Sequence, residues 1–352
     1  MKTRFARFLG ILLTICLLAS GCGGGSIRPQ KTQDKRLNVV TTLFPYYDFV
    51  RQIAGNEVQL SLVVPAGMDS HSFEPTPADM RMIQSADVLI CNGGAIETWL
   101  QDVLGAMDTS NMTIVTMMDH VNTVEEELVE GMEDTDHDHD HGAEEHYEGD
   151  GHDHGTEEHY EGDGHDHSND DGHDVEIEYD EHIWTSPANS MKIVEVIGQT
   201  LEEADASHKD YYAAQTKSYI GQLQELDDAF FEVVDHAKRH MIILGDKFPF
   251  RYFADEFGLN YRAAFSGCSS DTEPSAKTIA YLIEKVKSEQ IPVIYYLELS
   301  SPRVAEIISE ETGAKPLLLH SCHNVTRSQF DSGVTYLELM WNNVKNLREG
   351  LQ

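Results

Sequence analysis

The chain has 352 residues, with 61 acidic side chains against 25 basic ones and a formal charge of -36. Its length excludes a mini-protein and allows one large or two ordinary domains, while a field of that sign repels phosphates and excludes nucleic acid as a partner. The charge is concentrated: no Lys or Arg lies between Arg81 and Lys192, and residues 125–174 hold 22 acidic side chains, without which the formal charge is -14.

In chain order, Lys2, Arg4 and Arg7 precede an apolar run over residues 8–19 that is short for a bilayer span but has the charged-then-apolar layout of a secretory signal. Ala19, Ser20 and Gly21 then lead into Cys22, the arrangement in which bacterial lipoproteins are cut and lipidated. A signal peptide is expected over residues 1–21. Lipid on Cys22 and a flexible tether over residues 22–36, opened by Gly23, Gly24, Gly25 and Ser26, follow it. This predicts a protein anchored on the extracytoplasmic face of a bacterial cell membrane.

From Leu37 onward short runs rich in Val, Ile and Leu alternate with helical stretches, at residues 37–44, 58–64, 88–91 and 113–117, and again at 241–244, 261–265, 292–297 and 316–319. That alternation predicts an α/β fold. Between the two series Tyr219, Leu223, Leu226, Phe230 and Val234 recur at helical spacing, which predicts a long helix over residues 207–238. The expected architecture is two α/β lobes, an N-terminal one over residues 37–186 and a C-terminal one over 239–352, joined by helices over 187–238. Two shorter helices inside one lobe are the alternative to the long one. Ligands of such folds commonly sit in the crevice beyond the carboxyl ends of the strands.

Inside the acidic segment the thirteen residues from His141 to Asp153 recur from His154 to Asp166 with Ala143 replaced by Thr156, and ten of the chain's 18 histidines fall here: His137, His139, His141, His146, His152, His154, His159, His165, His167 and His173. Almost nothing apolar is available to offset the entropy of ordering, so disorder over residues 125–174 is expected. Imidazoles beside carboxylates suit the capture of Zn²⁺ or a similar borderline cation.

Three cysteines remain beyond the signal and Cys22. Cys91 closes an apolar strand and reads as core; Cys268 and Cys322, in turn-like contexts of the same half, are the possible disulfide of an oxidising compartment. Two loops offer metal ligands on stiff backbone. His71 is followed by Glu74-Pro75-Thr76-Pro77, whose prolines rigidify entry into the next helix, and His182 lies in Asp180-Glu181-His182-Ile183-Trp184 before Pro187. Taken singly, each histidine reads first as a local hydrogen-bonding group and only second as a metal ligand.

Together, these two motifs resemble the first and second metal-ligand motifs of the zinc/manganese solute-binding lipoproteins of ABC importers, a resemblance that extends over residues 37–351 and includes a His- and acid-rich insertion between the motifs. It implies two pseudo-symmetric lobes joined by a long backbone helix, with the metal between them, and delivery to a membrane permease with its ATPase. The third ligand implied by the resemblance falls, without gaps, on Lys247, which cannot coordinate while protonated, so Asp246 is the available neighbour. The fourth falls on His320 in Leu318-Leu319-His320-Ser321-Cys322-His323, with His323 a further candidate and Glu298 a group that would orient a ligand histidine. Imidazole at the fourth position favours Zn²⁺ over Mn²⁺, which remains a possible cargo.

No His-Glu-x-x-His helix or serine elbow occurs, so an enzyme is not expected. The alternative function is a surface metal-buffering or adhesion lipoprotein acting through its His-rich segment.

Overall fold

In the computed structural model, residues 36–132, 179–267, 269 and 273–352 are described. The signal peptide, Cys22, the tether up to residue 35, the ten clustered histidines and Cys268 lie outside them. Among the described residues no helix is long and apolar enough to cross a membrane.

The first apolar run forms β1 (Leu37–Thr41), which lies parallel to both β2 (Val58–Leu62) and β3 (Val88–Cys91). β4 (Thr113–Thr116) pairs with β3, giving the order β2-β1-β3-β4. Parallel strands are covered on both faces and therefore read as continuous apolar runs, as β3 does, being buried along its whole length. Cys91 is accordingly core, as expected, and its thiol faces the carbonyl of Val115. Helix α1 (Phe44–Ala54) has Pro at its start and buries Phe44, Phe49, Val50 and Ile53. Helix α2 (Pro77–Gln84) opens on a capping box in which Thr76 and Asp79 satisfy each other's backbone N–H groups; α3 (Thr98–Gly105) follows β3.

The second half repeats this order. β5 (Met241–Ile243) pairs with β7 (Asn260–Arg262), β9 (Val293–Tyr296) with β10 (Lys315–Leu318), all parallel, and the bridge between Leu244 and Tyr295 joins the two pairs. The resulting order, β7-β5-β9-β10, places second, first, third and fourth strands as in the N-terminal sheet, which is the topological basis of the expected pseudo-symmetry. Short β6 (Lys247–Phe248) and β8 (Phe265–Ser266) extend beyond it. Helices α6 (Arg251–Phe257), α7 (Ala276–Ser288), α8 (Arg303–Thr312) and α9 (Arg327–Ser332) connect the strands and the final helix α10 (Tyr336–Leu351).

Between the halves run α4 (Pro187–Ala204) and the 27-residue α5 (Lys209–Asp235), about 40 Å long at 1.5 Å per residue. The predicted long helix is therefore present, trimmed at both ends. A Cβ on Gly198 would strike the Thr216 side chain, so the close α4–α5 crossing requires glycine there. Tyr219 of α5 packs on Phe49 in the first half, and Phe230 on Phe253 and Phe257 in the second. One hydrophobic core accordingly runs from Val39 to Leu351, with a smaller cluster around Ile243, Leu282, Ile294 and Ile308. Residues Leu37–Gln352 form a single contact unit.

The chain's last helix returns to its first. Tyr336 donates its backbone N–H to the buried Asp48 carboxylate at 2.6 Å, and Arg51 reaches the carbonyls of Gly333 and Val334.

Candidate metal centre

Three loops, two of them at the carboxyl ends of β2 and β10, meet in a cleft of about 550 Å³. The first follows β2. Gly67, at φ +87, turns the chain, and Asp69 caps a short 3-10 turn over Ser70–Ser72 by accepting the backbone N–H of His71 at 3.0 Å. The second is the Asp180–Trp184 motif. The Asp180 carboxylate accepts the His182 backbone N–H at 2.8 Å and lies 3.2 Å from His182 Nδ1, leaving Nε2 for a ligand. Glu181 points the other way, accepting the backbone N–H of Ile96 at 2.7 Å and that of Ala95. Ser186 and Pro187 then start α4.

The third loop follows β10, and here the structure corrects the sequence expectation. The nitrogens of His71, His182 and His323, not His320, lie within 4.8 Å of one another. Their ring centroids are 5.8 Å apart for His71 and His182, 5.4 Å for His71 and His323, and 5.6 Å for His182 and His323. Cys322 adopts φ +61, and this left-handed turn separates the two candidate histidines. His320 is turned into the second half: Asn343 clamps its backbone from both sides at 2.8 and 2.7 Å, its Nδ1 accepts the Cys322 N–H at 3.0 Å, and its Nε2 is buried without a partner. His323 is delivered to the cleft. Asn324 donates to the carbonyls of Pro65 and Met68, tying this loop to that of His71, and Ser70 bonds the His323 ring. Trp184 donates its Nε1–H to the Ser321 carbonyl at 2.9 Å and packs 5.4 Å from the His323 ring.

Asp246 is not brought into the triad. Its carboxylate lines the cleft but accepts the backbone N–H groups of Lys247 at 2.8 Å and Leu297 at 3.3 Å, a strand-end capping role that sequence spacing cannot reveal. Glu298 lies 3.4 Å from Nδ1 of His320, so the histidine it faces is not in the triad; it also accepts the N–H and hydroxyl of Ser321 and so holds the His323 loop. Cys322 is a free thiol, fully buried at the turn, so the expected bridge is not seen on its side, and Cys268 lies outside the described residues.

Imidazole coordinates only when neutral. Burial, the neighbouring His182 and the Lys247 ammonium hold His71 down at about 4, and burial with the neighbouring His71, His182 and Lys247 holds His323 well below its ordinary value. Burial opposes charge on His182 too, but the Asp180 carboxylate, aided by Glu181, outweighs it and raises that pKa. Two of the three converging histidines are thus biased towards the neutral form and His182 towards the protonated one. Zinc uptake near pH 7 is expected to release no more than about one proton, and affinity to rise with pH through the raised His182 pKa and then level off. Asp180→Asn removes the charge that raises it. In calorimetry across buffers of different ionisation enthalpy, proton release at pH 7 should fall towards zero in this variant. At pH 8 its affinity should be weaker by about 10- to 100-fold, the usual cost of losing such a partner. Undiminished proton release would contradict this assignment.

A tetrahedral zinc ion with Zn–N near 2.05 Å sets its nitrogens about 3.4 Å apart, so closing the triad needs side-chain movements of about 1 Å. Three imidazoles with an open fourth position suit Zn²⁺ better than Mn²⁺.

A family model described as "Zinc-uptake complex component A periplasmic" matches residues 39–350. The chain is 30% identical over 350 residues to the high-affinity zinc uptake system protein ZnuA of Bacillus subtilis, covering 99% of this chain and 98% of that one. It is 32% identical over 320 residues to the zinc-binding lipoprotein AdcA of Streptococcus pneumoniae, covering 91% of this chain but only 57% of that longer protein. Among solved structures it superposes with TM-score 0.68 and 27% identity on the metal-dependent lipoprotein YcdH of Bacillus subtilis, covering 90% of this chain and 99% of that one. The Zn(II)-bound ZnuA-like domain of Streptococcus pneumoniae AdcA gives 0.66 and 27%, with the same coverage.

Proposed function

Because the chain belongs to the zinc-uptake complex component A family, we propose that it is an extracytoplasmic solute-binding protein that captures Zn²⁺ and hands it to the membrane permease of an ABC importer driven by a separate ATPase. One observation carries the reading: three histidines from three loops, spanning both halves of the chain, converge within 4.8 Å. In this reading residues 37–186 and 239–352 are the two lobes and 187–238 their connector. The chain is held at the membrane by lipid on Cys22, and the clustered histidines between His137 and His173 collect cations for the cleft, raising their local concentration. Mn²⁺ is the weaker cargo, since nothing in the triad supplies the oxygen-rich shell it prefers.

The test is competitive titration of a chain lacking residues 134–174. One tight Zn²⁺ equivalent with Mn²⁺ far weaker is the expected result. Loss of all tight binding with that segment would instead assign the protein to surface metal buffering through its histidines.

A further inference from the structure

The His triad accounts for only one end of the cleft. A bare ion with a water needs a few tens of Å³, whereas this cleft encloses about 550 Å³, a volume typical of sites for small organic ligands. The triad also leaves a zinc ion one ligand short of four. Among the described residues no carboxylate joins the three nitrogens. Asp69 and Asp180 are engaged with the backbone of His71 and His182, Asp246 with the amides of Lys247 and Leu297, and Glu298 with Ser321, while Glu273 lines the cleft as well.

Among the charged groups that line the cleft are two cations, Lys247 and Arg303, alongside the carboxylates. Lys247 lines it, its ammonium acts on both His71 and His323, and among the described residues no ion pair engages it. Arg303 and Val304 in the first turn of α8, with Ser301 just before it, line the cleft as well. The N-terminal end of a helix carries partial positive charge and favours an anion.

Building on the zinc-capture reading, we propose that the cargo is zinc carrying a small carboxylate: one carboxylate oxygen completes the coordination of a zinc ion held by His71, His182 and His323, and Lys247 binds the same anion. Coordination here forms one Zn–O bond in place of a zinc-bound water, with no redox change. The three neutral imidazoles bring no charge to the ion's coordination shell, and a carboxylate there both lowers the ion's charge and pairs with the Lys247 ammonium. Lys247 thus selects an anion at a position where a fourth protein ligand would make one unnecessary.

The test uses Co²⁺ as a spectroscopic stand-in for zinc, acetate and malonate as the probes, and otherwise carboxylate-free buffer. In the unaltered chain, acetate or malonate is expected to change the visible Co²⁺ bands. It should also tighten Zn²⁺ binding by at least about tenfold after allowance for chelation in solution, the lower range for a close, desolvated charge pair. Native mass spectrometry should then record a protein–zinc–carboxylate species. Lys247→Met should keep binding zinc through the triad but lose the carboxylate effect, and Lys247→Arg should retain it. Zinc binding and Co²⁺ bands indifferent to both anions, or an undiminished anion response in Lys247→Met, would overturn the proposal while leaving zinc capture intact. Absence of zinc binding under every condition would instead defeat the underlying functional reading.

Discussion

His323→Ala is expected to weaken Zn²⁺ binding about a hundredfold, whereas His320→Ala, three residues earlier, should change affinity by less than about threefold. The first figure follows from dividing the roughly 10–16 kcal/mol of a structural zinc site over four ligands, which gives about 3 kcal/mol for each. His323 is one of the three converging histidines and is tied to the His71 loop through Ser70 and Asn324. His320 faces Glu298 and Asn343 inside the second half, so its replacement should appear as lower stability. Competitive chelator titrations of the two variants check this directly. The reverse order of effects would mean that the triad is not the binding site.

Trp184→Ala is expected to cost about 3–5 kcal/mol of stability, the range for removing a fully buried large aromatic side chain. Trp184 has no solvent exposure, and its ring sits 6.1 Å from Tyr46, 5.6 Å from His182 and 5.4 Å from His323. Its indole N–H holds the Ser321 carbonyl and therefore the loop that presents His323, while its own carbonyl accepts the hydroxyls of Tyr336 and Ser190. One side chain thus spaces two ligands and links both halves. At about 2–4 °C per kcal/mol, thermal unfolding of the metal-free variant should begin roughly 6–20 °C lower. Zinc should restore less of that loss than it adds to the unaltered chain, because His182 and His323 are no longer held in register. Trp184→Phe keeps most of the packing and loses the hydrogen bond, so it should fall between the two. An unchanged transition in Trp184→Ala would refute the packing argument.

Much of this was legible in the residues. The strands of both halves lie where apolar runs predict them because parallel strands buried on both faces leave a continuous hydrophobic trace, as in Val88–Cys91. The long helix was visible through the spacing of Tyr219, Leu223, Leu226 and Phe230, all buried in α5. His71 and His182 could be singled out because their motifs, on loops fixed locally by turn and proline chemistry, resemble the family's metal-ligand motifs. The third converging histidine could not. His320 and His323 are chemically identical candidates, and the choice between them rests on one left-handed residue, Cys322, a conformation no sequence rule assigns to cysteine. Asp246, expected as a ligand, and Glu298, expected to orient one, were placed wrongly for a related reason: the backbone N–H groups they accept, at Leu297 and Ser321, come from distant positions of the chain. Lys247 was noticed as an obstacle to coordination, and only the cleft's volume gives it a different meaning.

The bond between Tyr336 and Asp48 spans 288 positions of the chain, and it bears on how the protein comes to be built. A polypeptide synthesised from its amino end presents β1 and α1 long before the segment that covers them. Until Gly333, Val334 and Tyr336 arrive, the Asp48 carboxylate and the Arg51 guanidinium lack the backbone groups that satisfy them, and the apolar face of α1 has no lid from α10. Closure of these contacts is a high-contact-order event, and until it occurs the first half is exposed to misassociation.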